Sequence, residues 1–92
     1  MTYSSEQRLA LFRFFEAIEA AARSEDPEAL RDLRDRLAFE IPLSPASKDP
    51  LEAATWQVFE ISGEWLRGVK DRSSGQILEA ARRAISLLNE PC

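Results

Sequence analysis

The stretch Ser4-Ser5-Glu6-Gln7-Arg8-Leu9-Ala10-Leu11-Phe12-Arg13-Phe14-Phe15-Glu16-Ala17-Ile18-Glu19-Ala20-Ala21-Ala22-Arg23 decides the fold class. At 100° per residue, Ala10, Leu11, Phe14, Phe15, Ile18, Ala21 and Ala22 gather on one face, which is a helical period. Ser4 and Gln7 stand at capping-box spacing, with Tyr3 just outside them at the position of a staple residue. A helix over 5–23 with so wide an apolar stripe needs other elements to cover it. No segment elsewhere alternates with period two over a strand's length, so those elements are helices.

Three more helices follow downstream. Ser24-Glu25-Asp26-Pro27 breaks the chain and restarts it, with Asp26 as N-cap, Pro27 as first helical residue and Glu28 at the positive end of the dipole. The second helix runs to about Phe39 on a narrow stripe of Ala29, Leu30, Leu33 and Leu37, its other faces crowded with Arg31, Asp32, Arg34, Asp35 and Arg36. The prolines of Ile41-Pro42-Leu43-Ser44-Pro45-Ala46-Ser47-Lys48-Asp49-Pro50 exclude helix there. Ile41 and Leu43 are expected to tuck into the core, and Asp49-Pro50 repeats the cap of Asp26-Pro27.

The third helix is expected from Leu51 to about Val69, with Leu51, Ala54, Val58, Ile61, Trp65 and Val69 as its core line. Thr55 and Ser62 lie at the edge of that line, each in reach of the preceding turn's carbonyl. Gly63 falls in mid-helix. Ser73 and Gln76 open the fourth helix with a second capping box, and Asn89 before Pro91 suits its end. Ile77, Leu78, Ala80, Ala81, Ala84, Ile85, Leu87 and Leu88 make it the helix expected to be most buried. The reading is an all-α single domain over 1–92: a four-helix bundle, roughly up-down-up-down, with helices about 5–23, 27–39, 51–69 and 74–89 and a Pro-rich loop at 41–50.

Composition narrows the functions open to this chain. It has 92 residues, 45% hydrophobic and 30% charged, with net charge −4 and no histidine. Without histidine, Ser–His–Asp and Cys–His catalysis and His-bearing metal sites are excluded. The three glycines have neither phosphate-loop nor dinucleotide-fingerprint spacing. The expectation is a non-enzyme with no cofactor and no metal. Sixteen acids against twelve bases disfavour nucleic acid as a partner. Ten of the bases are arginine, which beside thirteen alanines reads as coding bias. No apolar run reaches the ~18 residues of a membrane span. The N-terminal residues lack the pattern of a signal peptide. With the single cysteine, Cys92, that favours a cytoplasmic protein with no membrane contact.

The residues that do not fit a self-contained bundle are large apolar ones off the core stripes. Leu9 and Phe12 point away from the Leu11–Ile18 line, and Trp56 points away from Ala54 and Val58. Gly63, seven residues after Trp56, shares its face and would leave a shallow notch; Phe59 flanks it. Leu9, Phe12, Trp56, Phe59 and Gly63 are the candidate protein-interaction residues, with tryptophan enriched at interface hot spots. The expected function is a small non-catalytic interaction module, self-associating as a homodimer through this off-core apolar face. One alternative is a dedicated escort or inhibitor of antitoxin, immunity, secretion-chaperone or phage-inhibitor type. The second is a compact helical nucleic-acid-associated regulator. Glu60 and Glu64, like Glu16 and Glu19, read as solvated charges with arginines nearby.

Overall fold

The computed structural model describes residues 3–89, and they form four helices: α1 (Ser5–Arg23), α2 (Pro27–Glu40), α3 (Pro50–Leu66) and α4 (Ser74–Asn89). Cys92 and Pro91 lie outside the described residues. No strand occurs among the described residues, and none of their helices is long and apolar enough to cross a membrane.

The caps form as the sequence implies. The Ser4 hydroxyl accepts from Gln7 N at 3.1 Å, while Ser4 N donates to Gln7 Oε1 at 2.9 Å. Asp26 and Asp49 accept from Ala29 N and Glu52 N at 3.2 and 3.0 Å, each just ahead of its proline. Ser73 and Gln76 complete the second box.

Helix α3 stops three residues short of the expected end. Gly68 adopts φ +79°, and Gly68 N and Val69 N donate back to Trp65 O and Glu64 O. This is the Schellman arrangement, in which a left-handed residue satisfies two terminal carbonyls and reverses the chain. Val69 is therefore thrown out of the core line and is 38% exposed. Glu25 uses the same device after α1 with φ +49°, its own N–H and that of Asp26 donating to Ala22 O and Ala21 O.

The helices pack as a ring in chain order, α1 and α3 each touching α2 and α4, so α1–α3 and α2–α4 are the diagonals. Neighbours run antiparallel. The Tyr3 hydroxyl donates to Pro42 O at 3.1 Å, and Arg8 donates to Leu88 O at 2.9 Å, tying the start of α1 to the ends of α2 and α4. Leu11, Phe15 and Ile18 of α1 meet Leu30 and Leu37 of α2, Val58 of α3 and Ile77, Ala81 and Ala84 of α4 in the core. Tyr3 and Ile41 close one end, whereas Leu43 stays half-buried.

Helix α4 is less enclosed than its composition suggests. Ile77, Ala80, Ala81 and Ala84 are buried, but Leu78, Ile85, Leu87 and Leu88 are only half-buried. A helix at a corner of a square ring buries a narrow stripe, and an apolar arc of half its circumference exceeds that stripe. Helix α3 buries Leu51, Ala54 and Val58 of its apolar line together with Thr55, Ser62 and Gly63, whereas Ile61 and Trp65 are only half-buried.

Candidate interaction surface

The candidate residues fall on two opposite sides of the bundle. On α1, Arg8 and Glu19 reach across to α4, Arg8 through Leu88 O and Glu19 through Arg82 at 3.5 Å. Phe12 lies on that same flank and is half-buried, with Leu9 further out at 55% exposed. On α3, Phe59 and Gly63 lie on the flank toward α2, where Arg34 crosses to meet them. Because α1 and α3 are diagonal, Leu9 and Phe12 cannot join Trp56, Phe59 and Gly63 in one patch. The single face expected from the sequence is divided.

Nor is Gly63 an open notch. A Cβ built there would lie 2.5 Å from Arg34 Nη2 and 2.7 Å from its Cζ. The Arg34 side chain fills the space, donating from Nε to Phe59 O at 2.9 Å while its guanidinium carbon sits 3.8 Å from the Phe59 ring centroid. Trp56 stacks against the other part of this unit, its ring 5.5 Å from that of Phe59, and its indole N–H donates to Glu60 at 3.2 Å. Burial, then the nearby Arg67 guanidinium, push Arg34 below the usual arginine range, and Asp35 opposes them. It remains charged at neutral pH. The result is a ledge of Trp56, Phe59 and Arg34 along the α2/α3 seam, closed from within the chain.

Phe39, on α2, was not among the residues singled out from sequence. It is 91% exposed, the most exposed large apolar side chain among the described residues. The signal was present: Phe39 follows Leu37 by two residues, about 200° around the helix, so it points directly away from a buried stripe. Register sets it level with Trp56. Arg34 lies level with the turn between Phe59 and Gly63. Five residues on along α2 and five back along antiparallel α3, Phe39 and Trp56 stand at one height.

The remaining charged candidates are solvated or paired. Glu64 takes Arg72 at 3.2 Å, not Arg67, and Glu19 takes Arg23 at 2.6 Å. Asp32 and Arg36 pair at 3.3 Å in the open. A hollow of about 420 Å³ lies between α3 and α4 over Ile61 and Ala80, rimmed by Arg72, Arg83, Gln57 and Gln76. Glu79 is its one carboxylate, with no second acid and no hydroxyl nucleophile lining it. No group of three potential metal ligands occurs among the described residues. No protein-family model, curated protein or solved structure matches this chain.

Proposed function

We propose that this chain is a non-catalytic helical interaction module that self-associates through an off-core apolar helix face at Phe39. The observation carrying the proposal is Phe39, 91% exposed and level with Trp56 and its stacked Phe59. Burying one such ring is worth about 2 kcal/mol, and a symmetric pair buries two. The long side of the molecule measures 36 by 23 Å. That side offers on the order of 800 Å², the area each partner of a standard stable interface covers. The reading includes a cytoplasmic setting, in keeping with one cysteine and no disulfide framework.

Light scattering on a sizing column, in reductant and at two concentrations, tests this. The wild-type chain is expected at twice its monomer mass, and Phe39→Ser at monomer mass with unchanged helicity, because Phe39 makes almost no contact within the fold. A wild-type monomer at both concentrations, or a Phe39→Ser dimer as tight as wild type, would overturn the proposal.

A further inference from the structure

We infer that the seam between α3 and α4 receives a helix of a different protein, one carrying an acidic residue midway between two apolar residues seven positions apart. This surface is separate from the one proposed above, because Phe39 stands on α2 and α4 is diagonal to α2.

The seam holds two hollows end to end. The first, of about 420 Å³, has Ile61 and Ala80 in its wall, and the second, of about 310 Å³, has Ala54 and Leu87. Gln57 and Arg83 line both and form the waist between them. Ile61 and Leu87 are half-buried, so apolar surface lies open in each hollow. Ala54 and Ile61 are seven residues apart on α3, as are Ala80 and Leu87 on α4, which sets the hollows about 10 Å apart.

That spacing selects the form of the occupant. Side chains seven positions apart on a helix share one face and also stand about 10 Å apart. A strand covers the same distance in about three residues, and residues three apart on a strand point to opposite faces. One helix therefore fills both hollows where one strand cannot. Its third or fourth residue between the two anchors falls on the waist, where Arg83 has no carboxylate within 4.0 Å among the described residues.

Charge selects its chemistry. Arg72 at the far end is held by Glu64 at 3.2 Å, and Glu79 is the one carboxylate lining either hollow among the described residues. Arg83 is thus an available cation on a chain of net charge −4. The opposite seam, between α1 and α2, has the reverse sign, with Asp26 and Asp32 lining a hollow and no base. Those acids are engaged, Asp26 as a cap and Asp32 with Arg36. A second copy does not supply the occupant. Leu9, Phe39 and Val69 are the exposed large apolar side chains among the described residues, and no two share a helix.

A displayed library of alanine-based helices, randomised at two positions seven apart and at the two midway between them, provides the test. Wild-type protein is expected to enrich apolar residues at the outer pair and Asp or Glu midway. Arg83→Glu, at an exposed position, is expected to enrich Lys or Arg midway instead and to bind the wild-type selected peptide about tenfold more weakly, by fluorescence anisotropy. Ala53→Trp, which fills the second hollow, is expected to abolish the apolar preference at that end with helicity unchanged. Phe39→Ser is expected to bind as wild type does, so this reading and self-association stand or fall separately. No enrichment, enrichment without an acid, or the same clones on Arg83→Glu would overturn the inference. So would displacement of the peptide by inorganic phosphate at constant ionic strength, which marks a small-anion site, or loss of self-association in Arg83→Glu, which marks a second copy as occupant.

Discussion

Substituting Gly63 by alanine separates two accounts of the α2/α3 seam. An ordinary glycine in the middle of a helix costs about 1 kcal/mol relative to alanine, so its replacement should stabilise. Here the new methyl would lie 2.5 Å from Arg34 Nη2, inside contact distance, and the guanidinium must leave. Its departure removes a charge-assisted hydrogen bond to Phe59 O, worth about 1.5 kcal/mol, and a cation–π contact worth about 0.5 kcal/mol at a half-exposed site. The loss of about 2 kcal/mol outweighs the helix gain of about 1 kcal/mol. Gly63→Ala is therefore expected to destabilise by about 1 kcal/mol, a fall in Tm of about 4–8 °C for a domain this size.

The background decides the reasoning. With Arg34→Ala already in place nothing occupies the space, and adding Gly63→Ala should stabilise by about 1 kcal/mol. The double-mutant cycle, measured by urea denaturation, then gives a coupling of about 2 kcal/mol. A coupling near zero, with alanine at 63 stabilising in both backgrounds, would refute the claim that Arg34 holds this position.

Three other substitutions probe strain, an unsatisfied hydroxyl and a buried phenol. Glu25 carries φ +49°, a conformation glycine adopts without penalty, so Glu25→Gly should raise stability by about 1 kcal/mol in urea; a loss would show that the Glu25 side chain contributes more than its backbone costs. Ser62 is 1% exposed and its hydroxyl has no partner among the described residues, so Ser62→Ala should gain about 1 kcal/mol, whereas destabilisation would reveal a bond to the preceding turn. Burial first, then the Glu52 carboxylate, raise the Tyr3 phenol above its ordinary 10.0. The folded state thus favours the neutral phenol, so this stabilisation is full below pH 10 and is lost as pH rises through the raised value. Thermal melts should show wild type losing stability above pH 10 faster than Tyr3→Phe, which starts about 1 kcal/mol lower for want of the bond to Pro42 O.

What was legible in the chain was whatever depends on residues close in sequence. The caps at Ser4, Asp26, Asp49 and Ser73 each join residues three apart, and all four formed as read. The number and nature of the helices followed from the same local spacing. Errors arose where local propensity met chain reversal or tertiary contact. Val69 continues the α3 period on paper, but a left-handed Gly68 outweighs one more turn. Thr55 found the Leu51 carbonyl at 2.8 Å, while Ser62, with the same chemistry at the equivalent edge, did not. The division of Leu9 and Phe12 from Trp56 depends on which helices are diagonal, and helical wheels carry no information about ring order.

Gly63 shows the deeper difficulty, because its environment is made by a residue twenty-nine positions away. Arg34 reads on its own helix as one more solvated charge among Arg31, Asp32, Asp35 and Arg36. Only the register of α2 on α3 turns it inward over Phe59. The same holds for Arg8, whose partner Leu88 O lies at the far end of the chain. Both arginines donate to backbone carbonyls across a seam, and Arg34 also lays a planar face on an aromatic ring. A lysine could carry the charge but neither the directed fork nor the stacking plane. The preponderance of arginine over lysine therefore has a structural use at these seams, whatever its origin in coding. Arg34 fills the space beside Gly63 and leaves Trp56 and Phe39 at the surface.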